Sequence, residues 1–163
     1  PMQVRIASLH WLYDQNIHLP GCFRGRNPQT VYKDYFVALG EMVSGFDAID
    51  IVAHFDRILM RGTIIGAPFD PYSLETVIRD ALATIADRGI ALELNTRLLD
   101  HVPNWRPALT TMLQWYADEG GDQIVVDSDS HEVNHLGSNL DLAAEVLREV
   151  GLKPARLPLR SLV

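Results

Sequence analysis

Apolar positions along the chain recur with two different periods, one near two and one near 3.6. Residues 4–8 read as a short strand, and the long stretch after it, through Pro20, Gly21, Gly25 and Pro28, is rich in turn formers and irregular. Over 29–44, Val31, Tyr35, Leu39 and Met42 recur at helical spacing, with Gly45 placed to end the element. Residues 48–53 (Ala-Ile-Asp-Ile-Val-Ala) have the pattern of a buried strand. The clearest helix covers 71–87: Leu74, Val77, Ile78, Ala81, Leu82 and Ile85 share a face, Asp70-Pro71 supplies a cap and a first-turn proline, and Gly89 stops it. Then come a strand at 90–94, a helix at 106–119, a strand at 123–126, a helix at 140–150 ended by Gly151, and a final strand at 155–159.

Strands alternating with helices of ten to fifteen residues predict right-handed crossovers and a parallel sheet. No glycine-rich loop follows any strand, which disfavours a dinucleotide-binding or P-loop architecture. An α/β barrel, or part of one, is left, and its active site belongs at the C-terminal strand ends. Those ends read Ser8-Leu9-His10, His54-Phe55-Asp56, Glu93-Leu94-Asn95-Thr96 and Asp127-Ser128-Asp129-Ser130-His131. A lone histidine is more often a structural hydrogen-bonder than a ligand, but imidazoles and carboxylates at neighbouring strand ends converge on one point. Such a nitrogen and oxygen set suits Zn, Mn or Fe. Asp129 and His131, two apart at a strand end, are expected to aim the same way.

Composition narrows the partners. The 163 residues, 47% hydrophobic and 21% charged, suffice for one core, and 1–163 is expected to form one domain. A formal charge of -7 and a pI near 5.2 leave no basic face for general nucleic-acid or anionic-membrane binding, so any phosphate chemistry is local. One cysteine, Cys22, points to a reducing compartment, the cytoplasm by default, and no apolar run reaches the length of a membrane span. The chain drops into a strand almost at once, from which a missing upstream segment is expected. Trp11, Trp105 and Trp115 read as core or loop anchors, Arg24 and Arg26 as solvated, residues 118–122 as a solvated helix end, and His101 and His135 as surface residues.

Four short segments in register resemble the polymerase-and-histidinol-phosphatase (PHP) family, its histidinol-phosphatase branch above all. Ala7-Ser8-Leu9-His10 resembles the family's Gly-Ser-Val-His strand end, and Val52-Ala53-His54-Phe55-Asp56-Arg57-Ile58 its Gly-His-Phe-Asp-Leu-Ile segment. Ala91-Leu92-Glu93-Leu94-Asn95-Thr96 looks like Leu-Glu-Ile-Asn-Thr, and Ser128-Asp129-Ser130-His131 like Ser-Asp-Ala-His with its downstream glycine and helix. The resemblance implies the C-terminal part of a distorted barrel of seven β/α units, with two or three divalent metal ions at its mouth. Carried over position by position, His10, His54, Asp129 and His131 match metal ligands. A metal-bound hydroxide would attack a phosphate monoester, while Asp56 and Asn95 orient the imidazoles.

Two departures qualify the match. The family opens with His-x-His, an acidic residue and a later glutamate, none of which precedes His10, and His18 has the wrong spacing to replace them. The expectation is that a missing N-terminal segment, a partner chain or a second copy completes the site. Where the family tends to Gly-Leu-Arg, this chain has Arg97-Leu98-Leu99. Arg97 is the substitute phosphate-binding residue, and Arg61, seven beyond His54, reaches the phosphate from its own loop. Three functions follow: a phosphatase of a small phosphorylated metabolite, with L-histidinol phosphate first; a catalytically incomplete fragment or assembly domain; and a nuclease-type PHP module, which the acidic charge disfavours.

Overall fold

Strand β1 (Ile6–Ala7) opens the fold in the computed structural model, which describes residues 4–100, 102 and 105–155. The Arg5 backbone amide and guanidinium donate to the Asp50 carboxylate at 2.8, 2.9 and 3.1 Å, fastening β1 to the next strand of its sheet. A small antiparallel hairpin follows, β2 (Trp11–Leu12) and β3 (Gln15–Asn16), inside the stretch read from sequence as irregular. Its two-residue loop puts Tyr13 and Asp14 at φ 53° and 55°, the left-handed pair such a loop needs to match strand twist. No glycine relieves that conformation, and tertiary contacts hold it. The Arg26 guanidinium lies 4.3 Å over the Tyr13 ring, whose hydroxyl donates to Asp34.

Helix α1 (Pro28–Gly45) starts where Asn27 Oδ1 accepts from the Gln29 amide at 2.8 Å, with Pro28 in the first turn. It buries Val31, Tyr32, Tyr35, Phe36, Leu39 and Val43. Strand β4 (Ile51–Val52) runs into α2 (Ile58–Ile64), an element without a sequence signal, being short and carrying Gly62 and two β-branched residues at its end. Gly62 is required there. A Cβ would stand 1.8 Å from the Tyr32 hydroxyl, which itself donates to the Ala67 carbonyl at 3.0 Å. The helix expected from 71 begins as a 3-10 turn (Tyr72–Leu74), with Asp70 Oδ1 accepting from the Tyr72 amide, and continues as α3 (Glu75–Asp87). Then follow β5 (Ala91–Asn95), α4 (Trp105–Asp118), β6 (Ile124–Asp127) and α5 (Leu140–Glu149). Pro154 bridges Ile124 in parallel, whereas residues 156–159 of the expected last strand lie outside the described residues.

The sheet order is β1-β4-β5-β6, and every pair is parallel. Each strand therefore sits beside the previous one in the chain, an α/β arrangement that helical crossovers produce. Strand β5 is buried along its whole length, with Leu92 and Leu94 in the core among Phe36, Leu39, Ile78, Leu82 and Leu113. Since all four strands point the same way, their C-terminal ends share one edge. Strand β1 is one of the two outer strands of the described sheet, with Ile6 60% exposed. Among the described residues no helix is long and apolar enough to cross a membrane.

Candidate active site at the C-terminal strand ends

The four strand ends bring His10, His54, Asn95 and Asp129 to one edge of the sheet. Two of these four residues sit in backbone conformations that L-residues rarely adopt, His54 at φ 30° and Asp129 at φ 44°. Strain of this kind persists only where the surroundings over-determine it, and it gathers at functional sites. His10 Nε2 lies 3.2 Å from His54 Nε2, the rings nearly parallel with centroids 5.1 Å apart. The hairpin then turns the chain back: the Ile17 amide donates to the His10 carbonyl at 3.0 Å, and the His18 ring stands edge-on to His10 at 5.2 Å. His18 Nδ1 is 3.3 Å from Arg57 Nη2.

Asp129 lies between two arginines, its Oδ2 3.9 Å from Arg57 Nη1 and 4.0 Å from Arg97 Nη1. His131 does not follow it inward. Strand β6 ends at Asp127, so period-two alternation is lost before residue 131, and the His131 side chain is 67% exposed. Its Nδ1 meets Arg97 Nη1 at 2.5 Å and lies 3.9 Å from Asp129 Oδ1. A cavity of about 330 Å³ opens beside these groups, lined by Arg97, Ser128, Asp129, Ser130, His131, His135 and Ser138. Arg61 borders a smaller one of about 30 Å³ with His18 and Arg57.

Burial sets the charges. His54 is pushed down to about 4, first by desolvation and then by Arg57 and His10, so its ring is neutral at pH 7. His18 is also lowered, by burial and then Arg57. Two buried carboxyls lie below: Glu93 is pushed up to about 7 by burial, against the hydrogen bond from Asn95, and Asp56 to about 7 by burial, with Glu93 adding to the shift and Arg57 opposing it. The orienting roles expected of Asn95 and Asp56 take another form here. Asn95 donates to Glu93 Oε1 at 2.8 Å and accepts from the Arg97 amide at 3.0 Å, and so touches no imidazole. Asp56 Oδ1 and His54 Nδ1 are both buried without a partner.

The donors suit a divalent cation in part. Two imidazole nitrogens bound to one tetrahedral zinc at about 2.0–2.1 Å stand about 3.3 Å apart, and the His10–His54 nitrogens stand 3.2 Å apart. Among the described residues, however, no three His, Cys, Asp or Glu side chains gather into a metal-holding group. Asp129 and His131 are turned instead to arginine.

No protein-family model matches the chain. Its likeness is to histidinol-phosphatases. It is 25% identical over 149 residues to a probable histidinol-phosphatase of Clostridium acetobutylicum, covering 91% of this chain and 58% of that one. It is 22% identical over 152 residues to the histidinol-phosphatase of Lactococcus lactis subsp. lactis, covering 93% and 56%. The chain thus spans less than two thirds of the length of these relatives. A crystal structure of the Lactococcus lactis histidinol phosphate phosphatase with zinc, L-histidinol and phosphate has the same fold: the TM-score is 0.75 at 18% identity, over 91% of this chain and 57% of that one.

Three residues beside these groups were given no role in the sequence reading. His18 has no ligand-like spacing, and only the hairpin brings it back to His10. Arg57 lies in the motif that named its neighbours, yet its reach to both His18 and Asp129 depends on the strand-end turn. Glu93 did carry a signal. A charged residue inside a buried strand has to be there for a reason.

Proposed function

We propose that this chain is the C-terminal part of a distorted (β/α)7 barrel, a metal-dependent phosphoesterase of the PHP type that hydrolyses a small phosphate monoester such as L-histidinol phosphate. The observation that carries this reading is the close imidazole pair, His10 and His54, beside an arginine-bordered carboxylate at the ends of consecutive parallel strands. The whole length 1–163 belongs to this one domain. His10, His54, Asp129 and His131 hold divalent cations, two or three of them, for which Zn, Mn and Fe all suit the donor set. When bound, such cations supply Lewis-acid neutralisation of charge at the phosphoryl oxygens. The chain's own residues do the rest. His54, kept neutral by burial, offers a lone pair at pH 7, and Arg61 and Arg97 seat the anionic phosphate beside Arg57. Burial of His54 and Arg57 strengthens their contacts relative to water.

A second reading has its own support, in the His10–His54 pair that no third donor joins among the described residues. In that reading the chain is an incomplete catalyst, and an N-terminal barrel segment, a partner chain or a second copy lies against β1 and completes the donor set. A nuclease role fits less well, given a charge of -7. A cytoplasmic location fits the single free cysteine, Cys22. The test measures zinc, manganese and iron content together with turnover of an aryl phosphate and of L-histidinol phosphate. It uses the chain alone and the chain mixed with the N-terminal segment of a relative. Bound metal and turnover in either preparation support the phosphatase reading, and the mixture alone being active supports the second. Metal-free, inactive protein in both would sink the two together.

A further inference from the structure

The hairpin that follows His10 is too small to hold its own shape. Strands β2 and β3 have two residues each, and an isolated two-stranded hairpin is marginal in water even when longer. Its turn residues, Tyr13 and Asp14, sit at φ 53° and 55°, where Asn-Gly is the favoured pair and a tyrosine stays only under restraint. That restraint comes from outside the hairpin. The Tyr13 hydroxyl donates to Asp34 Oδ2 on α1, and the Arg26 guanidinium covers the Tyr13 ring at 4.3 Å. The far end of the hairpin is thereby tied to a helix whose other residues, Val31, Tyr35 and Phe36 among them, are fully buried.

The near end of the same hairpin carries two imidazoles of the site. Strand β1 ends at Ala7, whose carbonyl accepts from the Ala53 amide at 2.9 Å, so His10 stands beyond the sheet and directly before Trp11 of β2. The Ile17 amide closes the loop on the His10 carbonyl at 3.0 Å, and the His18 amide donates to Asn16 Oδ1 at 2.8 Å. Held so, the His18 ring lies edge-on to His10 with its Nδ1 3.3 Å from Arg57 Nη2, and His10 Nε2 lies 3.2 Å from His54 Nε2. We infer that Tyr13 is a positioning residue of this site: its bond to Asp34 fastens the hairpin turn to α1, and the turn so held sets the His10 and His18 rings against His54 and Arg57. This inference rests on the phosphatase reading only for what the rings serve, because the fastening is a property of the metal-free fold.

The experiment compares the metal-free wild type with Tyr13→Phe, which keeps the ring under Arg26 and drops the hydroxyl, and with Asp34→Ala, which removes the acceptor. At one pH, and at a temperature where each chain is folded, the NMR ring resonances of His10 and His18 should shift in both variants. Those of His135, on the β6 rim, should stay in place. Adding Asp14→Gly to Tyr13→Phe eases the positive φ in the turn and should return the His10 and His18 rings toward their wild-type shifts. Zinc affinity, read by chelator competition, should fall about tenfold in Tyr13→Phe and recover in the glycine double variant. Unmoved His10 and His18 rings in Tyr13→Phe, or wild-type zinc affinity, would reduce the bond to a structural one and overturn the inference. Shifts that reach His135 equally would mean general loosening and overturn it too, as would a glycine that restores the urea midpoint without the rings. Should wild type itself bind no zinc, the phosphatase reading fails, while the ring resonances still decide the role of Tyr13.

Discussion

The ends of β4 and β6 carry similar chemistry in opposite settings. Every residue from 51 to 59 is buried, whereas every residue from 131 to 137 is exposed. At the first end a strained, neutral histidine is held among buried polar groups, and its Nε2 already faces that of His10. At the second, Val133 and Leu136 are 93% and 78% exposed, and among the described residues His131 meets the Arg97 side chain and its own loop. The first end is preorganised within the fold. The second is an exposed rim, and sites of this kind commonly pair a rigid centre with an adaptable border.

The hardest test of that contrast is His54→Ala. It removes half of the imidazole pair, and zinc affinity should fall by about a hundredfold or more, beyond the 10–100-fold typical of residues behind a ligand. Unchanged affinity would show that the buried end is not the cation site. Next in size is the pH dependence of stability in the metal-free chain, where the buried groups act with opposite signs. His54 has a folded value of about 4 against 6.5 unfolded, so between those values only the unfolded chain takes the proton, and stability is lost as pH falls through that window. Asp56 has a folded value of about 7 against 3.8 unfolded, so between those values the folded chain keeps the proton, and stability is lost as pH rises. His54→Gln should remove on the order of 2–3 kcal/mol of acid-side loss, and Asp56→Asn should flatten the neutral side. Urea midpoints from pH 4.5 to 7.5 check both, and parallel curves for wild type and Asp56→Asn would refute the buried-acid part.

How far the sequence could be read depends on which forces built each part. Helix α3 was legible because Ile78, Leu82 and Ile85 need a common buried face, and β5 because its residues are apolar and β-prone. The order of His10, His54, Asn95 and Asp129 followed from the alternation of strands and helices alone. The hairpin was not legible, because Tyr13-Asp14 turns only with Arg26 and Asp34 in place, contacts that no local pattern encodes. His18 was lost with it. Helix α2 is too short for a period, and the expected common direction of Asp129 and His131 required a strand that ends at Asp127. Local propensity thus marked the scaffold, while the meeting of the side chains depended on long-range contacts.

Arg57→Lys is a smaller and more selective change. The side chain is nearly buried, with Nη1 toward Asp129 and Nη2 toward His18, a fork that an ammonium cannot reproduce. Inhibition by inorganic phosphate should weaken about tenfold, with zinc affinity changed less than by His54→Ala. A larger loss of zinc than of phosphate affinity would mean that Arg57 supports the imidazoles and not the anion.

The smallest expected effect on the fold is at His131. Its side chain is 67% exposed, and its contacts are to Arg97 and to the Asp129 carbonyl of its own loop, 2.8 Å away. Removing such a group costs the fold within about 0.5 kcal/mol, which for a chain of this size moves the melting temperature by no more than about 2 °C. Asp129→Ala should also leave the fold largely intact, because the charge it removes lies 3.9 Å or more from either arginine. Both variants should nevertheless lower metal occupancy, since on the proposed reading they supply donors from the rim. Melting curves and metal content of the same preparations give the answer together. Full metal in both variants would confine the cation to the His10–His54 end, while a large fall in melting temperature for His131→Ala would mean that the rim is as ordered as the centre and that the contrast between the two strand ends is false.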